Sequence, residues 1–145
     1  MQTFKKNERL ANYRLQSLLF SKGHFFFHYP FRVQWLCFSK NDQQNIRSSK
    51  DMPGKNALFN FPAKCMLAVS KRHIKSAVKR NRVKRLSREA YRKNKSGFYA
   101  FLETKGSYAL VAFVYTAKEV MTYNTVEPAI CEALQRLQEK INTCW

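Results

Sequence analysis

Hydrophobic and polar positions alternate along this chain in two rhythms, and the changes between them mark its elements. From Asn12 to Lys22, Leu15, Leu18 and Leu19 recur at helical spacing, with Asn12 as a capping residue and Gly23 where a left-handed residue would end the helix. Phe20 lies about 100° off that stripe, so the helix does not need it for its own packing. His24 to Pro30 reads as an aromatic-rich link. The rhythm then shortens to two: Phe31, Val33, Trp35 and Cys37 alternate with Arg32, Gln34, Leu36 and Phe38, a strand with one face partly wet. Residues 39–56 are polar and rich in turn formers, which predicts a mobile loop inside one domain. Apolar character resumes at Leu58, breaks at Pro62 and predicts a strand over Lys64 to Ser70.

After Ser70 the helical period returns, now combined with charge. Lys71, Arg72, Lys75, Lys79, Arg80, Arg82, Lys84, Arg85 and Arg88 crowd the segment to Tyr91, where Glu89 is the only acid. On a helix Arg80, Lys84, Arg88 and Arg92 stack at i, i+4 into a ridge flanked by Asn81 and Arg85, with Val83, Leu86 and Ala90 opposite. Lys95-Ser96-Gly97 predicts its end, leaving Phe98 to Leu102 open between a further helical turn and a loosely packed segment. Tyr108 to Tyr115 reads as a buried strand. Thr122 or Asn124 caps a last helix to about Ile141, with Asn124 and Glu127 at capping-box spacing, Pro128 in the first turn, and Ile130, Leu134, Leu137 and Ile141 as its stripe. The order α-β-β-α-β-α, with a long helix between two strands, predicts one α+β domain over 1–145: a two-layer sandwich containing a β-α-β crossover.

Charge narrows the function. Subtracting 9 acids from 27 Lys and Arg leaves +18, a field that favours nucleic acid or an anionic membrane surface. The longest apolar run, Tyr108 to Tyr115, falls far short of the about 20 residues of a membrane helix. The segment MQTFKKNERLANYRL lacks a secretory h-region, so the expected location is the cytoplasm. Cys37, Cys65, Cys131 and Cys144 are scattered, which predicts reduced thiols and neither zinc nor a disulfide framework. His24, His28 and His73 are equally dispersed, no carboxylates pair, and no Gly-rich phosphate loop exists, so no protein active site and no protein-bound metal or other cofactor are expected.

Like charges four apart cost a helix a few tenths of a kcal/mol per pair, and an anionic partner offsets that cost. Guanidinium forks suit phosphate oxygens, and an Asn among them reaches a base edge, a sugar hydroxyl or a phosphate. A basic helix can grip structured RNA while aromatic faces stack splayed bases. DNA readout is disfavoured because a strand, rather than the short helix of a helix-turn-helix, precedes the basic segment. A merely solvated basic helix is the plainer alternative.

The string AVSKRHIKSAVKRNRVKRLSREAYR resembles the signature of the bacterial ribonuclease P protein subunit, through Val69, Ser70, Lys71 and Arg72, then Ala77, Val78, Arg80, Asn81, Arg82, Lys84, Arg85, Leu86 and Arg88. Weaker similarity covers most of the chain, including Glu8-Arg9-Leu10 and Leu19-Phe20 with Gly23. The resemblance implies a left-handed crossover and a non-catalytic protein subunit of an endoribonuclease. Its RNA partner cleaves the 5′ leader from precursor tRNA with bound Mg2+. It further implies that Lys75, Lys79, Arg80, Asn81, Arg82, Lys84, Arg85 and Arg88 contact that RNA. The leader would lie between the first helix and the sheet, near Phe20, Trp35, Ser70, Lys71 and Arg72. A family aromatic one turn before Phe20 is Gln16 here, and a family Gly in the second strand is Met66. A general RNA-binding or ribosome-assembly protein is the alternative function.

Overall fold

The computed structural model describes residues 8–11, 13–39 and 62–144. In chain order these form α1 (Tyr13–Lys22), β1 (His24–His28), β2 (Phe31–Ser39), β3 (Ala63–Val69), α2 (Ala77–Lys105), β4 (Ser107–Tyr115) and α3 (Tyr123–Cys144). The loop expected over 39–56 begins at the last residue of β2 and otherwise lies outside the described residues, as does the expected cap Asn12.

Four strands make one mixed sheet in the order β1-β2-β4-β3. β1 and β2 pair as an antiparallel hairpin, β2 and β4 are antiparallel, and β3 and β4 are parallel, joined through α2 as the expected crossover. The α+β class therefore stands, with one strand more than the alternation suggested. His24–His28 is that strand: Phe26 faces the core at 6% exposure while Phe25 and Phe27 face out, an alternation hidden by three identical rings in a row.

Helices cover both sheet faces rather than one. α2 and α3 bury Phe31, Val33, Trp35, Val111 and Phe113, whereas α1 packs Leu15 and Leu19 on Leu110, Ala112 and Phe38 of the other face. β4 is apolar on both sides for this reason, and its burial pattern leaves only Tyr108 and Val114 half-exposed.

The basic helix runs through Gly97 to Lys105. A Cβ added at Gly97 would meet nothing within 4 Å, so this glycine is a tolerated surface position and not a cap. Buried Tyr91, Phe98 and Leu102 continue the stripe of Val83 and Ala90. Gly106, with φ 64°, caps the true end and donates to the carbonyls of Glu103 and Leu102. Gly23 plays no such left-handed role. A Cβ there would lie 2.3 Å from the Leu19 carbonyl oxygen and 2.9 Å from that of Trp35, so glycine is required by close approach of α1 to β2.

The segment before α1 is bound to the outer side of β3. Arg9 bridges Cys65 in parallel, and the Leu10 N–H donates to the Cys65 carbonyl at 2.9 Å. Glu8 and Lys95, 2% and 6% exposed, form an ion pair at 2.5 Å beside Tyr91, Tyr99 and Cys65. Burial pushes the Cys65 thiol far up, which makes it an inert core residue.

Candidate nucleic-acid interface

Ser76 starts α2 by accepting the Lys79 N–H on its hydroxyl, and the exposed face that follows carries the cations. Val78, Asn81, Arg82, Lys84, Arg85 and Arg88 line a shallow groove of about 630 Å³. No carboxylate lines it. Val78 is 79% exposed at one end, an apolar contact available to a partner. Glu89 is occupied elsewhere, at 2.5 Å from Arg92 and 3.9 Å from Lys93, and the Arg92 hydrogen bond holds its carboxyl below the ordinary range.

Arg80 does not join this groove. Its Nη1 donates to the carbonyls of Ile74 (2.9 Å) and Lys75 (2.8 Å), bracing the turn that leads into α2. The helical period explains the difference, since position 80 drifts toward the buried side over the turns that carry Asn81, Arg85 and Arg88 outward. Lys75 and Lys79 are exposed at the helix start, outside the groove lining.

The turn after β3 is tight. The Ser70 carbonyl accepts from His73 and Ile74 N–H, its hydroxyl accepts the Arg72 N–H at 3.1 Å, and Lys71 and Arg72 project into solvent.

Cys65, Val111, Trp35 and His24 form one register row across the four strands. The segment entering α1 is bonded to Cys65 at one end of that row, and the residue after Gly23 opens β1 at the other, so α1 crosses the strands. It leaves part of its face open. On that face Phe27, Arg32, Val114 and Ala68 make the row nearest the Ser70 turn, one step inside the row of His28, Phe31, Tyr115 and Val69, and Phe25 adjoins it. Phe25 and Phe27 are 54% and 62% exposed, and the Arg32 guanidinium sits 4.3 Å from the Phe25 ring centroid. Phe20, at 44% exposure, stands in the last turn of α1, where Gln34 Nε2 donates to the carbonyls of Leu19 (3.2 Å) and Phe20 (3.3 Å). α1 and all four strands contain no Asp or Glu.

Trp35 requires correction as a leader-contacting aromatic. It is 3% exposed in the α2/α3 core, on the sheet face away from α1, because the odd positions of β2 point there with Phe31 and Val33. Exposed aromatics of the strands on the α1 side come instead from β1, the aromatic-rich link of the hydropathy pattern. The aromatic content of HFFFH was the one available signal, because its alternation shows only in burial. Gln16, where the family carries an aromatic, ties Nε2 to the Leu10 carbonyl at 2.8 Å and so fastens α1 to the segment before it.

Among the described residues no three His, Cys, Asp or Glu side chains gather as a metal site, and no helix is long and apolar enough to cross a membrane.

A family model for ribonuclease P matches residues 4–140. The ribonuclease P protein components of two Porphyromonas gingivalis strains are each 33% identical over 132 residues, 91% of this chain and 84% of the relative. The Staphylococcus aureus RNase P protein aligns with a TM-score of 0.57 at 19% identity, covering 90% of this chain and 94% of that one. A mutant of the S. aureus protein described as defective in mRNA degradation activity aligns at 0.62 with 18% identity, covering 92% and 90%. These two establish likeness of fold; the family match and the identity across nine-tenths of the chain establish descent. The chain belongs to the ribonuclease P protein-component family.

Proposed function

We propose that this chain binds the catalytic RNA of ribonuclease P through α2 and the 5′ leader of precursor tRNA through the open part of the α1 face. It thereby assists 5′ maturation that the RNA performs with its own Mg2+. The observation that carries this reading is the α2 groove, where four cations and Asn81 converge with no carboxylate among them. Repulsion among those cations costs helix stability, and RNA phosphates reverse its sign. The leader contacts would come from Phe20 and the Ser70–Arg72 turn, on elements free of acidic residues. A protein of net charge +18 lets one polyanion hold another with fewer condensed counterions, so its help is greatest at low Mg2+ and low salt. The protein supplies no nucleophile, general base or metal in this scheme, and acts in the cytoplasm.

Reconstitution tests the proposal. The purified chain is added to a ribonuclease P RNA and precursor tRNA at low Mg2+, beside protein-alone and RNA-alone controls. Enhancement only when both are present is expected. Cleavage by the protein alone would point to a nuclease, and no enhancement of the RNA would point to a general RNA binder. Phe20→Ala should weaken binding of precursor tRNA by about 1–3 kcal/mol while leaving mature tRNA unaffected. Equal losses on both ligands would remove Phe20 from the leader path.

A further inference from the structure

We propose that Phe25, Phe27 and Arg32 form a stacking platform for unpaired RNA bases, a second leader contact on β1 at the opposite sheet edge from the Ser70 turn. This rests on the leader-binding reading above and extends it to residues which that reading does not use.

Two phenylalanines on one strand face, 54% and 62% exposed with ring centroids 5.9 Å apart, are poorly accounted for by packing. The Arg32 guanidinium sits beside the pair, over Phe25 at 4.3 Å from its centroid and 6.0 Å from that of Phe27. Its Nε has no hydrogen-bond partner, and no carboxylate pairs with the group among the described residues. Ring faces and a guanidinium with no carboxylate partner among the described residues match the two parts of a nucleotide: the base stacks, and the phosphate takes the charged fork.

Charge decides between RNA and a protein as the occupant. α1 and the four strands carry Arg14, Lys22, Arg32 and Lys64 and no acid, so this side of the molecule is complementary to a polyanion. Strand addition at the β1 edge is disfavoured because α3 already engages it. Arg136 donates to the Phe27 carbonyl at 2.7 Å, and His28 meets Glu132 at 2.9 Å and Arg136 at 3.1 Å. The side chains, not the backbone, are what β1 offers.

Three inter-strand steps place β1 about 14 Å from β3, so bases on the platform differ from those at the Ser70–Arg72 turn. Leader length is therefore the variable to test. With the full chain, a ribonuclease P RNA and precursor tRNAs of graded leader length, wild-type affinity should rise as the leader grows. The F25A/F27A double variant should match wild type on the shortest leader and bind long leaders about tenfold more weakly, at the low end of base-stacking losses. A 2-aminopurine moved along the leader should change fluorescence at the platform position with wild type. That signal should vanish with F25L/F27L, which keeps apolar bulk and the fold but removes the rings.

An unchanged length profile overturns the platform, as does an equal loss at every length including mature tRNA. So does a shift in oligomeric mass of the double variant without any leader effect, which would make the patch a protein interface. If Phe20→Ala weakens leader binding while F25A/F27A does not, only the platform falls. If both are silent, the leader-binding reading falls with it.

Discussion

Replacing Arg82 and Arg85 together by Ala should flatten the salt dependence of RNA binding by an amount that the groove allows one to calculate. Both side chains are exposed and line the cation groove, and neither is held by an acid in it. If each contacts one phosphate, each adds about 0.9 to the slope of log affinity against log salt. A fourfold rise in salt then removes about 3.5-fold in affinity per contact, and about 12-fold for two. The double variant should lose about 12-fold less affinity than wild type over that interval, and its slope should be smaller by about 1.8. Filter binding to a ribonuclease P RNA in graded KCl at fixed Mg2+ measures both numbers. Arg92→Ala is the matched control, because that guanidinium is spent on Glu89 at 2.5 Å and should change the slope little. Arg80 is avoided, since its loss would also free the carbonyls of Ile74 and Lys75. An unchanged slope in the double variant, or equal flattening by Arg92→Ala, would refute the assignment of RNA contacts to this groove.

Removing one partner of the buried Glu8–Lys95 pair, by Glu8→Leu or Lys95→Met, should cost about 3–5 kcal/mol in urea unfolding, and the double replacement should recover most of it; equal losses in all three would contradict the pairing. Burial holds Tyr91, Tyr99 and Tyr123 neutral above the usual pH of 10, Tyr123 up to about 12. Because the folded protein keeps protons that the unfolded chain releases near pH 10, their stabilisation is complete below pH 10 and is lost as pH climbs toward 12 and beyond. In a Y13F/Y29F/Y108F variant, which removes the rings open to solvent, tyrosinate absorbance should thus appear with unfolding, and its appearance near pH 10 in that folded protein would disprove the burial argument. Gly23→Ala forces a Cβ to 2.3 Å from the Leu19 carbonyl oxygen and should destabilise by about 1–3 kcal/mol in thermal melts; an unshifted midpoint would deny the close approach.

Local signals carried much of the fold and part of the site. The basic helix was legible because charge and apolar stripe coexist at one period, and β4 because eight apolar residues in a row suit a strand buried on both faces. The edge strand β1 was not legible, since hydropathy cannot tell a phenylalanine facing the core from one facing water, and 25–27 supplies both. Gly97 misled for a related reason: its tolerance depends on empty space beside it, a tertiary fact. Trp35 was misassigned because alternation separates two faces without saying which one α1 will cover. Arg80 looked like its neighbours in sequence, yet two backbone oxygens from the preceding turn claim it.

Gln34 has an effect out of proportion to its size. Carbonyls at the C-terminal turn of a helix ordinarily turn to water, but here one strand amide takes those of Leu19 and Phe20 and moors the helix end to the sheet. The reach of that single side chain gauges the spacing between residue 20 and the strands beneath it. A longer or shorter group at position 34 would re-space the gap between α1 and the sheet while leaving the cations of α2 where they are, so in this molecule fit and attraction are separate dials.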